Sequence, residues 1–406
     1  MKKRGFIIET MKYNVIIVGA GFTGSVIARQ LSDRLNMKSL VIEKRNHIAG
    51  NMYDKTIGNN VFVHMYGPHS FFTDEKWIVE YIQKFAEWKD LNVTAKVEID
   101  HKLYSLPFGF SFIREYYPSE QAQALIGKLQ EEFSGEERVT IFELLNSKEP
   151  TVVEFAKTLC EKDYYPYSSK QWGIPMDKMD PSVIGRVKFA LSEDNRYIQQ
   201  KYQLTPVYGF TAFFEKLLDS PNITVVKETD ALEHLELCDS THIARLSWNG
   251  TTYECPVVFT GPIDELFGCR YGALPYRSLE IQFKSFEQDS YQDVPFISYP
   301  QADGYTRIVE YKKLTGQEDE KGTVISVEYP EQYAKGKNLP YYPIINAPNL
   351  TLYDRYHKLA SEYKNLFVCG RLGDYKYYNM DAAIVRAMEV ERQIEEYLCK
   401  ENSEER

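Results

Sequence analysis

Residues Tyr13 to Asn51 read YNVIIVGAGFTGSVIARQLSDRLNMKSLVIEKRNHIAGN, and this stretch decides the fold. Val15 to Val18 is a short apolar run rich in β-branched residues, as a strand buried on both faces requires. Gly19, Gly21 and Gly24 follow at once with the spacing G-x-G-x-x-G, enclosing Phe22 and Thr23. The first glycine permits a tight turn, the second lets backbone approach a pyrophosphate, and the third lets a helix pack on the strand. Val26, Ile27, Leu31 and Leu35 then recur at helical spacing, so the unpaired amides and positive dipole end of a helix face the turn. A second apolar strand, Ser39 to Ile42, ends in Glu43, where a carboxylate meets a ribose diol. Strand, turn, helix, strand and acid together predict a Rossmann-like dinucleotide site.

The chain has 406 residues, room for two or three domains and a sizeable core. Its 31 Tyr and 22 Phe are enough to line a cleft that stacks flat rings, although most must simply fill core. A formal charge of −10 disfavours nucleic acid or an acidic membrane as partner, so an anionic small substrate would need isolated arginines. Six cysteines lie scattered without C-x-x-C or Cys/His spacing, so neither a disulfide framework nor a metal site is indicated; they read as reduced, mostly buried thiols of a cytoplasmic protein. No run approaches a membrane span and no signal peptide is visible. Residues 1–10 precede a second methionine, Met11, and read as an extension outside the fold.

Val61 to Thr73 is predicted as a strand running into a Gly-Pro turn that bears His69, and Glu75 to Phe85 as an amphipathic helix. Val93 to Leu106 alternates as two strands. Phe110 to about Tyr202 is mainly helical, with Ser119 opening one helix and Thr140 or Thr151 capping later ones. The loop after Trp172-Gly173, with Asp180-Pro181 as cap and first helical residue, is a candidate lid. Helix and strand alternate again from Gln203, and Cys255 to Asp264 brings the chain back to the dinucleotide domain. Arg277 to Tyr329 alternates with period two, an antiparallel sheet. A last apolar strand, a glycine turn and a long helix with Ile384, Met388, Ile394 and Leu398 on one face close the chain.

Past Glu43 the chain continues KRNHIAGN, and this tail resembles the FAD-binding form of the motif. The ordered pieces GAGFTG, IEKRNHIAGN, YGPH, LPF, SSKQWG, TGPID, YRSLE, YTRIVEYK, EYP, PYYP and GRLGDYKYYNMD resemble the bacterial UDP-galactopyranose mutases from about Met11 to Leu398. The resemblance implies an α/β (α+β mixed) fold: a Rossmann-like FAD-binding domain with an inserted helical domain and a six-stranded antiparallel sheet domain. On this reading the FAD domain comprises 11–84, 205–275 and 345–398, the helical domain 109–204, and the sheet domain 85–108 and 276–344. It implies that the N5 of reduced FAD attacks the anomeric carbon of UDP-galactopyranose, giving UDP-galactofuranose with no net redox. NAD(P)H or another reductant would keep the flavin reduced, and a homo-oligomer, a dimer, is the expected assembly.

Carried over residue by residue, Arg186 and Arg307 match the family's paired arginines on opposite walls, suited to a diphosphate whose charge grows as the glycosidic bond breaks. Arg186 alone would read as a solvated helix face. Tyr167 matches the uracil-stacking position, with Trp172 and Tyr197 nearby, a core role for Trp172 being the plainer alternative. Tyr342 and Tyr377 match tyrosines that bind the diphosphate, and Arg371 matches an arginine close to flavin and substrate. His69 matches a histidine beside the isoalloxazine, with a positional role. Gly19, Gly21, Phe22, Thr23, Gly24, Glu43, Lys44, Asn51, Tyr378, Asn379 and Met380 complete the expected cofactor contacts, the last helix aiming its positive end at the flavin.

Three departures stand out. Ala49 replaces a glycine, Asn379 a common aspartate, and Phe72 stands where a second histidine commonly lines the sugar pocket. An apolar ring cannot hydrogen-bond a sugar hydroxyl, which opens dTDP-fucopyranose or UDP-N-acetylgalactosamine as alternative substrates. Two further readings share the glycine turn: a flavin amine oxidase, and a non-catalytic protein that binds nucleotide sugar.

Overall fold

The computed structural model describes residues 12–173, 175, 184–185, 187–317 and 321–404. The dinucleotide stretch forms the strand Val15–Val18, the helix Phe22–Leu35 and the strand Ser39–Ile42. These strands lie in a five-stranded parallel sheet whose order is Ile223–Val226, Ser39–Ile42, Val15–Val18, Val257–Phe259, Leu366–Val368. Both faces are covered, which is why Val15, Ile16 and Ile17 are all buried whichever way they point. Helix Gly209–Leu218, helix Phe22–Leu35 and the C-terminal helix Met380–Glu404 cover one face; Ile384 and Ile394 are buried there, and Met388 and Leu398 pack partly buried against the same core.

A second core belongs to the helical region, where Phe108, Phe112, Phe155 and Phe189 interlock with Leu129 and Leu159. Thr140 caps the helix Ile141–Leu145 through a capping box with Glu143. Thr151 does not cap: Pro150 takes the first helical position and Glu149 the cap, leaving Thr151 inside. The candidate lid, with Asp180-Pro181 and Arg186, lies outside the described residues.

The third unit is a sheet of seven strands rather than six, in the order Tyr342–Pro343, Tyr276–Phe286, Thr323–Gln332, Arg307–Glu310, Phe296–Ser298, Ala95–Ile99, Lys102–Leu106. It is not wholly antiparallel, because Phe296–Ser298 runs parallel to Ala95–Ile99. The two segments reach this junction from distant parts of the chain, so no hairpin dictates their relative direction. The expectation of mostly buried thiols also fails in part: Cys160 and Cys369 are buried, Cys238, Cys255 and Cys269 intermediate, and Cys399 exposed. Among the described residues no helix is long and apolar enough to cross a membrane.

Candidate active site and cofactor cavity

The glycine turn is built by contact. Gly19 holds φ +103°, and a β-carbon there would lie 2.1 Å from Thr260 Oγ1. One on Gly24 would lie 2.1 Å from the Gly19 carbonyl oxygen, which is the helix-on-strand packing the spacing implies. Gly21 has only Gly50 Cα nearby, at 3.7 Å, leaving its other side open to a cavity of about 660 Å³. Glu43 is buried at the end of its strand; its Oε2 accepts the Ala20 amide at 2.8 Å and its Oε1 the Arg45 amide at 2.9 Å.

The cavity is lined by Gly19, Gly21, Phe22, Thr23, Glu43, Lys44, Asn51, Arg371, Tyr378, Asn379 and Met380 among others. Gly24 and His69 do not line it. Lys44 pairs with Asp230 at 2.7 Å, which raises its pKa through that hydrogen bond. The N-terminus of the long helix Met380–Glu404 opens onto the cavity, so the helix dipole favours negative charge there. Ala49 adopts φ +73°, the left-handed region that favours glycine.

One orphaned buried atom of the lining shows what the residues are shaped to receive. Arg45 donates from Nη2 to Asn51 Oδ1 at 3.0 Å and lies 4.4 Å over the Tyr66 ring, but its Nη1 is buried without a partner among the described residues. A buried donor left unpaired is costly, and a polar dinucleotide would relieve it. Glycine cradle, ribose-facing acid, unpaired arginine and helix N-terminus thus fit a flavin dinucleotide. Arg45 belongs to the tail KRNHIAGN, and a nitrogen without a partner among the described residues is what marks it.

Beside the cavity lies a cluster of rings and guanidinium groups. Arg307, on the strand Arg307–Glu310, donates from Nε and Nη2 to the same Glu328 oxygen at 3.0 and 2.7 Å and sits 5.5 Å over Phe296. Burial opposes its charge, yet Glu328 with Tyr167, Tyr197 and Tyr342 more than offsets this and raises its pKa. Tyr167, on the helix Tyr165–Trp172, has its own pKa raised by burial, partly countered by Arg307. Tyr197 is 44% exposed and packs on Phe296 at 5.9 Å. Arg371 donates to the Tyr378 carbonyl at 3.1 Å and covers the rings of Tyr342 and Tyr377 at 5.7 and 5.0 Å. Tyr342 and Tyr377 themselves stand 5.9 Å apart.

His69 joins this group from the Gly-Pro turn. Burial, then the neighbouring His64 and Arg371, push its pKa well below the usual histidine value, so the imidazole is neutral at physiological pH. Trp172 packs against the helical core at the end of its helix, in line with the core role. Phe72 pairs with Gln203 in a short strand and is half-buried, facing away from Phe71, which fills the dinucleotide core. Sequence reasoning gave no role to Glu328, whose Oε1 is buried without a partner among the described residues; it lies in the piece EYP, and only strand register sets it opposite Arg307.

The model of the UDP-galactopyranose mutase family matches residues 162–377, and that of an NAD(P)-binding Rossmann-like domain matches 17–85. Over 394 residues, 95% of this chain and 96% of the relative, the sequence is 36% identical to the UDP-galactopyranose mutase of Mycoplasma genitalium. The chain belongs to the UDP-galactopyranose mutase family. It is an isomerase of that family, and the family match spans Tyr167, Arg307, Tyr342, Arg371 and Tyr377. It is also 31% identical over 379 residues to the dTDP-fucopyranose mutase of Escherichia coli, covering 92% of this chain and 96% of that one. A solved structure of reduced UDP-galactopyranose mutase superposes with a TM-score of 0.71 at 14% identity, covering 95% of this chain and 94% of the other, a likeness of fold.

Proposed function

We propose that this mutase interconverts the pyranose and furanose forms of a nucleotide-linked hexose, UDP-galactose in the first instance, on bound reduced FAD. The observation that carries the reading is the cluster in which Tyr167, Tyr197 and Tyr342 surround Arg307 next to Arg371 and the dinucleotide cavity. When bound, reduced FAD supplies a nucleophilic nitrogen for the anomeric carbon of the sugar.

The chain's own residues do the rest. Tyr167 and Tyr197 stack the base, and Arg307, with Arg186 as its partner on the family's pattern, holds the departing diphosphate as its charge grows. Tyr342 and Tyr377 donate hydroxyl hydrogen bonds to the same phosphates, and Arg371, which lines the cavity, keeps both rings in place. Neutral His69 positions, since its depressed pKa leaves no imidazolium to act as a general acid. Glu43 would hold the ribose of the cofactor, and Lys44, Asn51 and the start of the last helix would hold its remaining polar atoms. The domain division given above, a reductant such as NAD(P)H, a homodimer and a cytoplasmic setting belong to the same proposal.

Phe72 favours a second reading of the sugar. A half-buried phenyl ring suits the methyl group of a 6-deoxy hexose better than a hydroxymethyl group, and a dTDP-fucopyranose mutase is among the relatives. The purified protein is expected to be yellow. Dithionite-reduced protein, given UDP-galactopyranose, dTDP-fucopyranose and UDP-N-acetylgalactosamine in turn, should isomerise one of them while the oxidised form stays inert. Equal turnover in both redox states would exclude the flavin nucleophile, and no turnover of any sugar would exclude the mutase reading.

A further inference from the structure

The helix Tyr165–Trp172 carries Tyr167, and Lys170 lies three residues on, on the same side of the helix. Lys170 Nζ donates to three backbone carbonyls: Tyr299 at 2.7 Å, Ala302 at 2.7 Å and Tyr305 at 2.8 Å. An ammonium has three hydrogens and no acceptor, so these carbonyls use it fully. They belong to the turn between the strands Phe296–Ser298 and Arg307–Glu310, and the last of them is two residues from Arg307. No carboxylate among the described residues comes within ion-pair distance of Lys170; Asp163 and Asp303 act on it only through space. Its charge is spent on holding backbone.

The end of the same helix is held a second time. Arg277, buried on the strand Tyr276–Phe286, donates from Nε to the Gln171 carbonyl at 2.8 Å and from Nη2 to the Lys170 carbonyl at 3.1 Å. These are carbonyls a helix leaves unpaired at its C-terminus. Gly173 terminates the helix at φ +66°, where a β-carbon would meet Arg277 Nη1 at 2.6 Å. Two cationic side chains therefore tie one helix of the helical region to the sheet.

We propose that Lys170 is a positioning residue for nucleotide-sugar binding, fixing the distance between the base-stacking Tyr167 and the diphosphate-binding Arg307. The inference rests on the roles given to those two residues above. Lys170 touches no substrate in this account. It fixes the turn that leads into Arg307 relative to the helix that carries Tyr167, so the two contacts on one ligand are met together. Without it each contact survives but their spacing drifts, and binding suffers more than the chemical step.

The test uses the reduced holoenzyme and its variants Lys170→Met and Lys170→Arg. Arginine keeps the charge, but its planar fork cannot direct three hydrogens at carbonyls converging on one point. KM for the nucleotide sugar and Kd for UDP should rise by roughly tenfold in Lys170→Met, with kcat changed less than about twofold while the melting temperature falls. Lys170→Arg should show the same split and decides the matter if the methionine variant does not fold. Unchanged KM and Kd in a folded variant, or a loss confined to kcat, would overturn the proposal. Wild-type protein that fails to bind UDP would instead overturn the nucleotide-binding reading of Tyr167 and Arg307 itself.

Discussion

Replacing Arg307 with Ala perturbs two quantities that can be separated. Arg307 faces Glu328 across the strand pair, and its side chain is 24% exposed while that of Glu328 is 2% exposed. Truncation leaves Glu328 buried without its cation, which costs about 3 to 5 kcal/mol of folding stability for a fully buried pair; partial exposure of the arginine places this pair near about 3. The second effect is on the rate. Loss of one charge-assisted donor from the departing diphosphate removes roughly 3 to 4 kcal/mol of transition-state stabilisation, about 10² to 10³ in kcat. Adding Glu328→Gln removes the stranded charge, so the double variant should regain most of the stability and none of the rate. Urea unfolding gives the first quantity and initial rates of the dithionite-reduced enzyme give the second. If Arg307→Ala turns over within about threefold of wild type, or the double variant recovers the rate, Arg307 serves the fold and not the reaction.

Other consequences follow from the same geometry. Gly24→Ala would drive a methyl group to 2.1 Å from the Gly19 carbonyl, which cannot yield without opening the turn; stability should fall by about 1 to 3 kcal/mol and flavin absorbance of the purified protein should be lost. Full FAD content with a wild-type melting curve would contradict the turn's role. Thr140→Ala removes the acceptor for the Glu143 amide and should lower stability by about 1 kcal/mol with no change in turnover, checked by paired melts and rates. Burial pushes the pKa of His64 down from 6.5 to about 4, so the unfolded chain takes up the proton first. Stability from this group is therefore complete above the higher value and drains as pH falls towards the lower one, by about 3 kcal/mol at most. His64→Gln should flatten much of that limb in melting temperature against pH, leaving the part due to His69, and an unchanged slope would refute the assignment.

Local rules made some of this molecule legible. The glycine spacing, Glu43 at the strand end and the Thr140 capping box each depend on residues within a few positions or one supersecondary unit, where backbone geometry leaves few choices. Thr151 misled because a proline one position earlier claimed the start of the helix. The parallel junction at Phe296–Ser298, the seventh strand and the exposure of Cys399 had no local signature at all.

The sequence alone determined that a dinucleotide fold is present, and in ordered motifs it named the arginines and tyrosines of the candidate site. Only the tertiary structure decided that Glu328 backs Arg307, that Arg45 keeps a nitrogen without a partner among the described residues, and that Lys170 ties Tyr167's helix to the turn before Arg307. The reason is physical: a turn or a cap is written in neighbouring side chains, whereas an ion pair across two strands, or a clamp between residues more than a hundred positions apart, exists only once separate sheets and helices have packed and set their register.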